Sequence, residues 1–234
     1  MSLIPPPLLK QIKGGLIVSC QAARESPLHD PHVICAMALA AHQGGAVGVR
    51  IDSPEHIRAV RSRGNFPIIG LWKKEYSDSA VYITPTLDDA RAVAQSGADI
   101  IAVDATNRDR PQGEMLTDMV EQIHAEFRKP VLADIDDLET ALWAENLGVD
   151  AIATTLHGYT ENTEACIPPN LDLLRQIIAQ VSVPVILEGG VHTLEIAKEA
   201  IALGAWAVVV GQDITGIDHK IGQYCQQLAT LRTS

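Results

Sequence analysis

The chain has 234 residues, 47% hydrophobic and 20% charged, a globular composition with enough apolar surface for one sizeable core, which excludes disordered and low-complexity classes. Aromatics make up only 4%, so that core must rest on Ala, Val, Ile and Leu, as sheets of many parallel strands prefer. The net charge of −11, with no dense Lys/Arg run, disfavours a nucleic-acid backbone or an anionic bilayer as partner. It leaves room for a small anionic ligand held locally by backbone N–H groups.

Cys20, Cys35, Cys166 and Cys225 are widely spaced and form no CxxC, so neither a disulfide framework nor a metal site is expected. The opening stretch MSLIPPPLLKQIKGG carries a short apolar run broken by three prolines, which fits neither a signal h-region nor a membrane span. The expectation is one cytoplasmic domain over 1–234 with a short N-terminal extension, 1–14.

From there one unit repeats: a short apolar strand, a loop, then an amphipathic helix. GLIVSCQ (15–21) precedes a helix through ICAMALAAHQGG. AVGVRI (46–51) precedes SPEHIRAVRSRG, where Ser53 is the expected N-cap and Pro54 the first helical residue. PIIGLWK (67–73) leads through a polar loop and a short VYIT segment into LDDARAVAQSGA. DIIAVDAT (99–106) precedes MLTDMVEQIHAEF, and PVLADI (130–135) precedes DLETALWAENLG. DAIATTLHG (150–158) precedes NLDLLRQIIAQV, PVILEGG (184–190) precedes TLEIAKEAIALG, and AWAVVVG (205–211) precedes IDHKIGQYCQQLATL. Eight such units predict a (β/α)8 TIM barrel, like the ribulose-phosphate-binding barrels. A doubly wound open sheet is the rival; it would typically have fewer units and a GxGxxG loop opening its first helix, which is absent.

Active sites of such barrels form at the C-terminal strand ends. The residues closing the strands here are Gln21, Arg50, Lys73, Asp104, Asp134, His157, Glu188 with Gly189 and Gly190, and Gly211. Each has a plain alternative: Lys73 as a solvated loop lysine, Asp104 or Asp134 as a helix cap, the glycines as tight turns. Glu188 is harder to dismiss, because it follows VPVIL and faces a nearly enclosed rim where burial raises a carboxyl pKa. Glycine-bearing ends on strands seven and eight suit a phosphate held by backbone N–H groups. No HxH or HExxH spacing surrounds His157, so a hydrogen-bonding place in the pocket is expected rather than a metal.

The segments GLIVSCQA, PLHD, AMALAAHQGGAVGVR, PIIGLWK, VDAT, ADI, LHGYT and ILEGGV, in order from Gly15 to about Thr215, resemble the N-acetylmannosamine-6-phosphate 2-epimerase family. The resemblance implies interconversion of N-acetylmannosamine 6-phosphate and N-acetylglucosamine 6-phosphate, a step of sialic-acid catabolism, without metal, nucleotide or other cofactor. It implies proton transfer at C2 by Lys73 and Glu188, with Arg50 and Asp134 binding substrate or supporting the site. Gln21, Asp104, His157 and Tyr159 join the substrate side, and Gly189, Gly190, Gly211 and Gln212 the phosphate side. One departure stands out: Gly216 occupies the place of an arginine that helps hold the substrate in the family, and Asp213 adds negative charge nearby. Losing one charge-assisted contact costs about 1.5–3 kcal/mol, and Lys220 or another cation is the candidate to compensate. Another sugar-phosphate isomerase or aldolase, or a non-catalytic sugar-phosphate-binding barrel, are the competing readings. Ile217, Ile221, Tyr224, Leu228 and Leu231 form an apolar stripe at helical spacing, which either packs on its own barrel or makes a homodimer.

Overall fold

The computed structural model describes residues 6–230. Strands β1 (Leu16–Cys20), β2 (Gly48–Asp52), β3 (Ile68–Leu71), β4 (Ile100–Asp104), β5 (Val131–Asp134), β6 (Ala151–Ala153), β7 (Val185–Leu187) and β8 (Ala207–Val210) pair in parallel in chain order, and β8 closes onto β1. That closure excludes the open doubly wound sheet. Each strand lies within its expected segment except β2, which runs one residue further to Asp52.

Period-two alternation divides the strands' side chains between two cores. Val18, Val49, Ile101, Val131, Ile152, Val185 and Val208 face outward and pack under the helices. Ile17, Ile69, Ala102, Leu132, Ala153, Ile186 and Ala207 face inward and fill the barrel. The lower opening is plugged by Leu9 and Ile12 from the end of α1 (Pro7–Gln11), both fully buried.

The helices start where short polar side chains can satisfy their free N–H groups. Asp30 caps α2 (Pro31–Gln43), and Ser53 caps α3 (Pro54–Arg61) by accepting from the His56 N–H. Thr86 and Asp89 form a capping box on α4 (Leu87–Gln95), Asp137 and Thr140 one on α6 (Leu138–Asn146). Asn170 and Thr193 cap α7 (Leu171–Gln180) and α8 (Leu194–Ala202). Each cap contributes about 1 kcal/mol. The expected helix over MLTDMVEQIHAEF is divided: α5 (Leu116–Gln122) continues into a wider π-helical turn (Ile123–Phe127), where His124 Nε2 lies 2.8 Å from the Asp150 carboxylate.

The C-terminal end departs from expectation. A one-turn helix, α9 (Gln212–Thr215), is inserted after β8 before the last helix, α10 (Ile217–Thr230). None of the residues of α10 is buried, and Ile217, Ile221, Tyr224 and Leu228 are 51, 57, 70 and 55% exposed. The stripe is therefore not covered by its own barrel; its last member, Leu231, lies outside the described residues. Among the described residues no helix is long and apolar enough to cross a membrane.

Candidate active site

The inward alternation that fills the barrel continues upward into charge. Two residues above Leu132 comes Asp134, above Ile186 Glu188, above Gly48 Arg50, above Ile17 Ser19, and above Leu71 Lys73. The uppermost inner layer is thus polar, and it forms the floor of a cavity of about 480 Å³ at the C-terminal mouth.

Arg50 organises that floor. Its Nη1 donates to Asp134 Oδ1 (3.0 Å) and to Glu188 Oε2 (2.8 Å), and its Nη2 donates to Asp134 Oδ2 (2.6 Å). Thr155 Oγ1 donates to Asp134 Oδ1 at 2.5 Å, fixing the carboxylate from another side. Both Arg50 and Asp134 are essentially inaccessible, and Arg50 Nε has no hydrogen-bond partner among the described residues. Burial acts to lower the Arg50 pKa, and the charges of Asp134 and then Glu188 more than reverse it, so the guanidinium is permanently ionised.

Glu188 sits on this cation and still titrates high. Burial, joined by the Asp134 charge, pushes its carboxyl up to about 7 against the opposing pull of Arg50 and Lys73. Its backbone is pinned by Thr154, whose Oγ1 donates to the Glu188 carbonyl (2.8 Å) and accepts from the Glu188 N–H (3.1 Å). Lys73 keeps accessible surface because it projects into the open mouth, yet protein on most sides desolvates its ammonium. That desolvation, with Arg50 nearby, holds its pKa below the usual lysine value despite Asp52, Glu188 and Asp134. One group is moved up and the other down, both toward neutrality, which is the pattern of an acid–base pair.

On the far side of the cavity the chain makes two glycine-bearing turns. Gly189 and Gly190 have φ of 98° and 68°, and a Cβ on Gly190 would lie 2.4 Å from the Pro168 carbonyl oxygen. Only glycine lets the backbone pass there. Gly211 precedes α9, whose first N–H groups, at Gln212 and Asp213, have no intrahelical acceptor. Lys220 reaches this rim from α10 and pairs with Asp213, so the added negative charge has a cation on it; His192 and His219 line the same side.

Gln21, Arg50, Lys73, Tyr159, Glu188, Gly189, Gly190, Gly211 and Gln212 thus meet around one cavity. Three other expected residues do not line it. Asp134 acts from beneath, through Arg50. The Asp104 carboxylate is fully buried and already accepts from Arg108 Nη2 (2.6 Å) and Thr106 Oγ1 (2.7 Å), so no direct sugar contact is open to it. His157 is buried between the Asp136 carbonyl (2.7 Å from Nδ1) and Asn170 Nδ2 (3.2 Å from Nε2), bracing the loop that carries Tyr159. Tyr82, Thr155 and Ser19 were missed. Tyr82 lines the cavity with its phenol pushed up to about 12, chiefly by burial. Its only sequence signal is an aromatic between two apolar residues of VYIT.

Comparison with known proteins points the same way. Residues 34–230 match the family model described as "NanE: Putative N-acetylmannosamine-6-phosphate epimerase". A relative from Thermosynechococcus vestitus, named "Putative N-acetylmannosamine-6-phosphate 2-epimerase", is 56% identical over 221 residues, which is 94% of this chain and 96% of that protein. One of the same name from Synechococcus elongatus is 50% identical over 222 residues with the same coverage. The solved structure of the N-acetylmannosamine-6-phosphate 2-epimerase from Clostridium perfringens is similar with a TM-score of 0.90 at 40% identity, covering 94% of this chain and 95% of that one.

Proposed function

This chain belongs to the N-acetylmannosamine-6-phosphate epimerase family, and from that premise we propose that it interconverts N-acetylmannosamine 6-phosphate and N-acetylglucosamine 6-phosphate by proton transfer at C2. The observation that carries this reading is the placement of Lys73 and Glu188 in one cavity with pKa values displaced toward neutrality from opposite directions.

The C2 proton becomes acidic only when C1 is a carbonyl, so the reacting sugar is in its open-chain form. Removing the proton yields an enolate, and inversion requires its return on the opposite face. Lys73 and Glu188 serve as the two proton-transfer groups. Arg50, held rigidly by Asp134, supplies positive charge where the enolate oxygen forms. Gln21 and Tyr159 are placed to meet sugar hydroxyls, while Asp104 and His157 support the walls from outside the cavity. Gly189, Gly190, Gly211 and Gln212 offer backbone N–H groups to the phosphate, and Lys220 contributes the cation that Gly216 does not. The reaction as written needs no metal or nucleotide. A phosphorylated sugar is retained by membranes, which suits a cytoplasmic enzyme of sialic-acid catabolism. A homodimer in which a second copy covers the stripe on α10 completes the reading.

In heavy water the protein should place deuterium at C2 of N-acetylmannosamine 6-phosphate, and Lys73→Ala should lose that exchange. Folded protein that neither exchanges nor epimerises refutes the assignment, and preference for a sugar phosphate lacking the N-acetyl group refutes the substrate. Substrate deuterated at C2 and turned over in ordinary water should lose its label; label returned to C2 would show that one group does both transfers.

A further inference from the structure

The peptide that carries Lys73 is gripped on both sides. Its N–H donates to Asp52 Oδ1 at 2.8 Å, and its carbonyl accepts from Arg24 Nη2 at 3.2 Å. Asp52 closes β2 opposite Leu71, the last residue of β3. A carboxylate just before a helix ordinarily caps it, yet here Ser53 does that work, its Oγ accepting from the His56 N–H at 3.3 Å. To do so the chain turns through Ser53 at φ 78° and ψ 143°, a region few side-chain-bearing residues enter. The Ser53 N–H is anchored on the Leu71 carbonyl at 2.9 Å. The turn frees the Asp52 side chain from α3 and aims it at the next strand.

We infer that Asp52 is a positioning residue for Lys73, its carboxylate holding the peptide that bears the lysine and so bringing a negative charge to that end of β3. The inference rests on the proton-transfer role proposed for Lys73. Charged groups that act on that ammonium include Asp52 and Arg50 of β2, Asp134 at the end of β5 and Glu188 just past β7. Behind Asp52 stand His56, whose Nδ1 lies 3.1 Å from the Asp52 carbonyl, and His29, whose ring meets His56 edge-on at 4.6 Å. Burial raises the Asp52 pKa, with the Lys73 N–H and ammonium and the two histidines opposing it; in return the Asp52 charge raises the lysine against its own desolvation.

Asparagine at 52 keeps an oxygen for the Lys73 N–H and removes the charge, whereas alanine removes both. The test compares kcat and KM against pH for the wild type, Asp52→Asn, Asp52→Ala and Lys73→Ala, with melting temperatures alongside. Asp52→Asn should melt like the wild type, keep KM within about twofold, and move the lysine limb of the profile about one pH unit downward. Asp52→Ala should lose on the order of tenfold in kcat at unchanged KM. If the alanine variant does not fold, the near-isosteric asparagine variant decides. An Asp52→Asn limb that coincides with the wild type, or an effect confined to KM, overturns the inference while exchange lost in Lys73→Ala leaves the lysine's role standing. Exchange that survives Lys73→Ala overturns both.

Discussion

Arg50→Met removes the cation that, among the described residues, is hydrogen-bonded to both buried carboxylates at the base of the cavity. Three hydrogen bonds go with it, two to Asp134 and one to Glu188. Breaking a buried ion pair by deleting one partner costs about 3–5 kcal/mol, because the remaining charge is left uncompensated. In a chain of this size each kcal/mol moves Tm by about 2–4 °C, so the loss at pH 7 should be roughly 6–20 °C. The sign with pH follows from Glu188, which already titrates near 7 and is held down by Arg50. Without the guanidinium its pKa climbs further, so acidification to pH 5 neutralises it and recovers part of the lost stability. Calorimetry at pH 5, 7 and 8 measures both effects. A drop below about 3 °C at pH 7, or one independent of pH, would refute the claim that Arg50 neutralises this layer.

Glu188→Gln tests the same carboxylate in the opposite sense. Its folded-state pKa of about 7 lies above the ordinary value of 4.5, so its protonation favours the fold at low pH and that contribution disappears as pH rises through 7. Relative to the wild type, the variant should gain on the order of 1–3 kcal/mol in urea unfolding between pH 5 and pH 8; a gap that stays constant or moves the other way counts against a raised pKa. Replacing Ile221 and Tyr224 together by Asp should halve the mass seen by light scattering, with little change in the barrel's secondary structure. A wild type that is already monomeric at micromolar concentration removes the dimer.

Barrel and strand ends were legible because a parallel strand covered on both faces is a continuous apolar run, and its first polar residue marks the mouth. That rule puts Lys73, Glu188 and Arg50 at the mouth, whereas the pairing of Lys73 with Glu188 for proton transfer comes from the family resemblance. What the rule cannot reveal is whether a strand-end side chain already has a partner. Asp104 reads like Asp134, but Arg108, four residues on, folds back over it. His157 reads as a pocket histidine, and the long β6–α7 loop brings Asn170 round to occupy its ring. Tyr82 reaches the cavity only because VYIT bends back to bridge Lys73 with Ile83. Asp52 carries no signal of its own in the sequence, because the Ser53-Pro54 start of α3 beside it already accounts for the helix cap. On α10 the amphipathic stripe was plain; which surface meets it depends on where α9 turns the chain.

The charged layer over the barrel's interior has a consequence for how the protein handles developing charge. Arg50 lies within β2, Asp134 at the end of β5 and Glu188 just past β7, each strand locked by its neighbours in a closed ring. Their dipoles are oriented by folding itself, before any ligand arrives. A liquid solvent must rotate its molecules around each new negative charge and lose free energy doing so; this floor has almost no rotation left to make. Reorganisation is confined to the rim, where Lys220, Tyr159 and the glycine turns sit. Substitutions at the rim should therefore retune which sugar phosphate is held, while substitutions in the floor should change how fast a bound one reacts.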